Sequence, residues 1–440
     1  MSRFLYTALY YALTPLLFVR VIIKHFRSST YKDVRQPLRL NERLGLFSAP
    51  VFTPLQSHNA APVWVHTVSV GEFLATLPLI NRIQQEFPHL PLVITSTTTT
   101  GSAQIHKIFA GQIQAGNMFH VYLPYDLPGS VARFFNKIKP RVGIIMETEI
   151  WPNLFAAAKQ RTIPVYLLNA RMSARSAKGY QRLARLSKQT LRTLSGIAAQ
   201  DALEANRLID LGALYKTLQV TGSIKFDIKV TDEAVEKGKH IRQHLGWDVN
   251  KVLIAASTHQ GEDELLLDMF KRLRLNHPEL VMLIVPRHPE RFQQVYRMLQ
   301  NSGLQVLKRS KAGQQQNTVT DILLGDSMGE MMSYFACADL VFMGGTLVPT
   351  GGHNILEPAA LGLPIVYGPY MFNFQAISEL FLQHEAALQA EDIEQTEQLM
   401  HQLLNDAMRC QTLGEQARQL VEKNAGAVDK MFALIQADLH

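Results

Sequence analysis

Beyond residue 60 the chain keeps one grammar: short apolar runs rich in Val, Ile and Leu alternate with stretches of helical periodicity. Runs at 63–67, 92–97, 121–124, 142–146, 165–168 and 197–200 make one series, and runs at 252–256, 281–285, 322–324, 340–343 and 365–367 make a second. Strands this apolar cannot lie on a sheet with one face in water. Separated by helices, they predict parallel sheets covered on both sides. With 440 residues, 47% of them apolar, the chain can fill two such cores. The fold class is α/β, with two doubly wound domains joined near residues 219–226 and a last helical stretch, 412–437, that packs back on either domain.

The two series echo each other at their first strand. One ends in His66-Thr67-Val68-Ser69-Val70-Gly71-Glu72, the other in Ala256-Ser257-Thr258-His259-Gln260-Gly261-Glu262. Ligands of open α/β sheets bind beyond the carboxyl ends of the strands, so two facing domains are expected to present these turns to a common cleft.

The N-terminus has a different character. No charge interrupts residues 4–19, and only Arg20 interrupts the run to Ile23. Twenty helical residues reach about 30 Å, one hydrocarbon thickness. Residues 1–25 are therefore expected to be a membrane-anchor helix. Pro15 and Arg20 leave open whether it spans or lies in the interface, and no small-residue cleavage site follows it. Charge is regional. The net +7 comes from residues 1–45, where Arg3, Arg20, Lys24, Arg27, Lys32, Arg35, Arg39 and Arg43 oppose Asp33 and Glu42, and from residues 171–192. Basic residues behind an anchor keep the body of a protein cytoplasmic and draw it to anionic headgroups. In the second block Arg171, Arg175, Lys178, Arg182, Arg185, Lys188 and Arg192 recur every three or four residues with no acid among them, which predicts one helical face. That face is either simply solvated or a docking surface for phosphorylated lipid; sparse aromatics disfavour nucleic acid. Cys337 and Cys410 cannot form a disulfide framework, which fits a reducing compartment, and no Cys/His spacing reads as a zinc site.

Walker A, Gly-x-Gly-x-x-Gly, His-Glu-x-x-His and Asp-x-Asp patterns are absent from the sequence, which weakens nucleotide hydrolysis, nicotinamide chemistry and metal-dependent sugar transfer. What remains is a glycine-rich run, Gly344 to Pro358, that follows a strand and is expected to open a helix suited to phosphate, with Glu357 placed for ribose hydroxyls; its alternative is purely structural use. Arg287, just after a buried strand, suits a phosphate or is an ordinary surface arginine. Glu72 and Glu147 stand where strands end. Either is placed to act as general base, while Glu72 equally fits a helix cap. Lys225, near the junction, is either a partner for a leaving phosphate or a linker lysine.

Together these motifs resemble the 3-deoxy-D-manno-octulosonic acid (Kdo) transferases. The resemblance runs through Asn41-Glu42-Arg43-Leu44-Gly45, His66 to Glu72, Tyr122-Leu123-Pro124-Tyr125-Asp126, Met146-Glu147-Thr148-Glu149-Ile150-Trp151-Pro152-Asn153, Asn169 to Ser176, Thr221 to Asp227, Ser257 to Glu262, Pro286 to Arg291 and Gly351 to Glu357. It implies a GT-B fold: anchor 1–25, an N-terminal Rossmann-like acceptor domain 26–220, and a C-terminal CMP-Kdo-binding domain 221–440. It also implies metal-free, inverting transfer of Kdo from CMP-Kdo to a tetraacylated lipid A precursor, with no cofactor beyond the donor, at the cytoplasmic face of the inner membrane. Glu72 then matches the catalytic base, and Glu147 and Lys225 match transition-state stabilisers; the carboxylate of the implied donor sugar needs polar or cationic neighbours, for which Ser257 and Thr258 are near candidates. Pro286 and Arg287, Met328-Gly329-Glu330, and Asn354-Ile355-Leu356-Glu357 match the segments that hold CMP. The competing readings are another GT-B enzyme, such as a sugar-nucleotide epimerase or a different lipid-linked transferase, and a silent membrane-tethered binder.

Overall fold

The computed structural model describes residues 1–27, 39–48, 52, 55, 58, 60–314 and 320–440, without the side chains of 24–27, 313 and 314. Lys32 and Arg35 of the N-terminal basic cluster, and the side chains of Lys24 and Arg27, lie outside the described residues. The chain forms two compact units, Met1–Asp227 with Gly426–His440, and Ile228–Ala425.

The first unit is built on a seven-stranded parallel sheet in the order β3-β2-β1-β4-β5-β6-β7. Its strands are β1 (Val63–His66), β2 (Leu92–Ser96), β3 (Met118–Tyr122), β4 (Val142–Met146), β5 (Val165–Ala170), β6 (Gly196–Ala199) and β7 (Leu218–Val220). β1 pairs with β2 on one side and β4 on the other, so the chain reverses its direction of travel across the sheet between β1 and β4. Such a switch point leaves a crevice at the carboxyl ends of the two strands. Both faces of the sheet are apolar, as continuous Val, Ile and Leu runs require. Trp64, Phe134 and Phe135 pack edge to face on one side. Val65, Phe73 and Ile144 line the other, where Met431 and Phe432 of helix Ala427–Ile435 close the layer. Each large side chain so buried contributes roughly 1.5–3 kcal/mol.

The second unit repeats the plan in the order β10-β11-β9-β8-β12-β13-β14. Its strands are β8 (Lys251–Thr258), β9 (Leu280–Pro286), β10 (Val306–Lys308), β11 (Ile322–Leu324), β12 (Leu340–Met343), β13 (Ile365–Tyr367) and β14 (Leu388–Gln389). Here the switch point lies between β8 and β12, again beside the unit's first strand.

Departures from expectation gather at sheet edges. β7, β10 and β14 were not foreseen, and β3 begins at Met118 rather than 121; all four are edge strands. β7 and β10 are partly exposed and β14 has two residues, so none carries a continuous apolar run. In β3 the interruption is His120, buried with Nδ1 2.9 Å from the Ile94 carbonyl and Nε2 2.8 Å from the Ser102 hydroxyl.

Three expectations are corrected. The basic block does not form one helix face: Arg175 and Lys178 lie on helix Ala174–Gln181, Arg185 and Lys188 on helix Ala184–Leu191, and Arg171, Arg182 and Arg192 outside both, although all seven are exposed. The stretch 412–437 is two helices, Ala407–Asn424 and Ala427–Ile435, broken at Gly426, whose φ is 91°. The Asp227 carboxylate accepts the Gly426 N–H at 2.5 Å and the Val428 N–H at 2.6 Å, which caps the second of these helices. Finally, Arg39 and Arg43 face inward rather than toward headgroups. Arg39 donates to Glu42 at 2.6 Å and to the His120 carbonyl at 2.8 Å, and Arg43, buried over the Tyr122 ring, donates to the Thr97 carbonyl at 2.9 Å. Glu42 in turn accepts the Tyr122 N–H at 2.8 Å, which covers the β3 edge.

Candidate active site

In the first unit, β1 runs into a turn capped by Ser69, whose hydroxyl accepts the Glu72 N–H at 3.3 Å and starts helix Val70–Glu86. The Glu72 carboxylate folds back, accepting the Val68 N–H at 2.8 Å and the Ser69 hydroxyl at 3.2 Å. This is close to a capping box, so the capping role anticipated for Glu72 is present. It does not exhaust the residue. Glu72 remains half-buried, and burial together with the negative charges of Glu147 and Glu149 outweighs those hydrogen bonds and pushes its carboxyl up to about 7. A carboxylate poised there gives up and takes protons near neutrality.

The two acids that raise it come from the neighbouring strand. Glu147 directly follows β4 in a left-handed conformation, φ 59°, with its N–H donated to the Leu168 carbonyl at 3.0 Å. A non-glycine residue held in that region costs about 1–3 kcal/mol, a cost that surrounding structure must offset. Glu149 accepts the Trp151 indole N–H at 2.9 Å and lies 3.8 Å from Nε2 of His66. His66 is fully buried, with Nδ1 2.9 Å from the Thr95 hydroxyl and Nε2 without a hydrogen-bond partner among the described residues.

Lys225 joins this unit. It sits half-buried in the 3-10 turn Ile224–Phe226, and Asn169 at the end of β5 accepts the Ile224 N–H at 3.1 Å. Asn169 is itself left-handed at φ 51° and fully buried. The lysine therefore belongs to a turn fixed on the first unit, not to a loose linker.

In the second unit the corresponding turn has another use. Glu262 is fully buried, and its carboxylate accepts four backbone N–H groups: His259 at 2.8 Å, Gly345 at 2.7 Å, Thr346 at 3.0 Å and Leu347 at 2.9 Å. It thereby ties the end of β8 to the glycine-rich run after β12. Glycine is required at the join, because a Cβ on Gly344 would lie 2.7 Å from the Ser257 carbonyl oxygen.

Around this frame stand the residues anticipated to hold a nucleotide. Pro286 ends β9 and is buried, whereas Arg287 is exposed and held by its N–H to the Thr258 carbonyl at 3.0 Å. His259 and His353 stack at 5.1 Å with their Nε2 atoms 2.8 Å apart, and His288 meets His259 edge-on. Burial and the nearby cations lower both pair members, His353 to about 4. Neutral imidazoles beside arginine make a surface that would gain protons on meeting an anion. Asn354 donates to Glu357 at 3.3 Å, and burial raises the Glu357 carboxyl. Gly329, left-handed at φ 85°, lies between exposed Met328 and half-buried Glu330.

Several details depart from expectation. The helix that the glycine-rich run opens is short, Leu356–Ala360, and its Leu356 N–H is already donated to the Asn354 side-chain oxygen at 3.2 Å. The Thr258 hydroxyl is committed to Asp263 at 2.6 Å, and Asp263 is paired with Arg291, so Thr258 has no hydroxyl to spare for a donor carboxylate. The Glu330 carboxylate is likewise engaged. Burial alone would raise it, but Lys237 at 2.7 Å, Ser327, and Arg309 at 3.0 Å hold it at about 2. Glu149, Asn169 and the His259–His353 pair were not singled out beforehand. Each stands within a sequence motif, but the pairing of His259 with His353 joins positions 94 residues apart and leaves no local signal.

Comparison with known proteins decides the family. Residues 38–228 match the family model described as 3-deoxy-D-manno-octulosonic-acid transferase. The 3-deoxy-D-manno-octulosonic acid transferase of Haemophilus influenzae is 36% identical over 437 residues, covering 99% of this chain and 98% of that protein. The chain belongs to the Kdo transferase family. The Bordetella pertussis member is 34% identical, with 99% of both chains covered. Among solved structures, UDP-GlcNAc 2-epimerase from Neisseria meningitidis aligns with 86% of this chain and all of that one at TM-score 0.55 and 13% identity, a likeness of fold. This Kdo transferase is thus a glycosyltransferase of GT-B architecture acting in lipopolysaccharide synthesis, with one N-terminal helix apolar and long enough to cross a membrane.

Proposed function

We propose that this transferase moves Kdo from CMP-Kdo to a hydroxyl of a tetraacylated lipid A precursor, with inversion and without a metal ion, at the cytoplasmic face of the inner membrane. The observation that carries the reading is Glu72, half-buried among Glu147 and Glu149 with its carboxyl raised to about 7. Glu72 takes the proton of the attacking glucosamine hydroxyl as the new bond to the anomeric carbon forms and the bond to the CMP phosphate oxygen breaks. Glu147 faces the positive charge that builds on the sugar ring. Lys225 and Arg287 balance the negative charge of the departing phosphate. Pro286, Arg287, Met328-Gly329-Glu330 and Asn354-Ile355-Leu356-Glu357 hold the cytidylate. Because the Glu330 carboxylate is engaged elsewhere, its segment contributes backbone and Gly329 rather than that charge. The N-terminal helix and the exposed basic residues of 171–192 hold the enzyme to an anionic membrane surface.

Incubation with CMP-Kdo and the acylated disaccharide in the presence of a chelator is expected to add whole Kdo increments to the lipid by mass. An unmodified lipid, or a product formed from nucleotide sugar alone, would favour an epimerase or another transferase.

A further inference from the structure

The helix Arg3–Arg27 is two-faced. Tyr6, Thr7, Tyr10, Thr14, Leu17 and Phe18 recur at helical spacing and are half-buried. From this face Tyr6 bonds the buried Asp126 carboxylate, and Thr7 accepts from Asn153 Nδ2 at 2.9 Å. Tyr10 and Phe18 pack on the Tyr125 ring at 6.5 and 5.3 Å. Asp126 is held in turn by the N–H groups of Asn153 at 2.9 Å and Leu154 at 2.7 Å, so the docking ground is a built part of the first unit. The opposite face is apolar and bare: Phe4, Leu5, Leu9, Leu13, Leu16, Val19 and Ile23 are 43–84% exposed. Arg3 and Arg20 are exposed toward its two ends.

Contacts from residue 6 to residue 18 fix about 18 Å of helix along the first unit. If that stretch crossed the hydrocarbon, Tyr125, Asp126 and Asn153 would be carried to the same depth, together with the irregular backbone around them. Lipid does not tolerate such backbone. An apolar stripe flanked by arginines, on a helix whose other face is occupied by protein, fits the hydrocarbon edge of one anionic leaflet.

We infer that the N-terminal helix lies in the plane of the membrane, clamped to the first unit by Asp126, Asn153 and Tyr125, and enters one leaflet with its Leu5–Leu9–Leu13–Leu16 face instead of spanning the bilayer. The placement rests on the membrane attachment proposed above, not on the identity of the acceptor. Tyr10, on the clamped face, lies near enough to Glu149 to feel its charge, so the embedded helix runs beside the acid cluster that raises Glu72.

Nitroxide labels at Leu5→Cys, Leu9→Cys, Leu13→Cys and Leu16→Cys test it, one at a time, in full-length Cys410→Ser protein bound to phosphatidylglycerol-containing vesicles; Cys337 is fully buried. Transfer activity and flotation of each variant report its fold and attachment. Depth measured by oxygen and nickel accessibility is expected to be the same at all four positions within about 5 Å, one helical turn. A bell-shaped profile with Leu9 and Leu13 near the midplane would overturn the in-plane placement while leaving attachment intact. Protein that does not float, with all labels in water, would instead overturn attachment and the placement with it.

Discussion

Glu72 and Glu262 each follow the first strand of a seven-stranded sheet, each in a Gly-Glu pair, and each beside the point where strand order reverses. In the first unit the carboxylate meets two N-terminal hydrogen-bond donors and two other acids, and stays half-buried with its proton affinity raised. In the second it meets four backbone N–H groups and vanishes from the surface. One local pattern therefore yields either a half-buried carboxyl with raised proton affinity or a structural clamp, depending on what the adjacent strand brings. β4 delivers Glu147 and Glu149, whereas β12 delivers the amides of Gly345, Thr346 and Leu347. Function is decided by the neighbour, not by the turn.

The contrast can be broken or sharpened by substitution. The largest effect is expected from Glu262→Ala, which leaves four buried or half-buried N–H groups without their acceptor. At about 1–3 kcal/mol each, the second unit should lose about 4 kcal/mol or more, read as an earlier calorimetric transition together with lost CMP-Kdo binding. Unchanged melting would remove the clamp. Glu72→Gln should behave in the opposite way, with melting unchanged, donor affinity within about threefold of wild type and turnover down roughly 100-fold, as loss of a general base predicts. Arg287→Ala should weaken donor binding about tenfold, with no change in melting because its side chain is exposed; calorimetry with CMP measures it. The smallest effect is a shift in pH dependence. Glu149→Gln removes one negative neighbour that raises Glu72, so the base should deprotonate at lower pH and the rising limb of activity should move down by less than about one unit. A limb that stays put or moves up would exclude coupling between these two acids.

The central strands were legible because a buried parallel strand must be apolar on both faces and so writes itself as a continuous run. Edge strands carry no such demand, which is why β7, β10 and β14 went unread and why His120 hid the start of β3. In the site, Glu147, Arg287 and the glycine-rich run were legible because they follow such strands directly, and Glu72 because it opens the helix after the first strand. What could not be read was which charges are already spent. Glu330, Thr258, Arg39 and Arg43 look available in the sequence, and each is engaged by a residue distant in the chain or on another element. The five-residue helix at Leu356–Ala360 shows the same limit, since Gly351-Gly352 promised a helix start but nothing local fixed its length.

The role of Glu72 is tested most directly by the pH dependence of kcat/KM for Kdo transfer in wild type and Glu72→Gln. The wild-type rate should rise with pH through a midpoint near 7, as the raised carboxyl loses its proton and becomes competent as a base. In Glu72→Gln that limb should disappear, leaving a low and flat rate. An identical rising limb in the variant would assign the proton acceptor to another group and contradict the account.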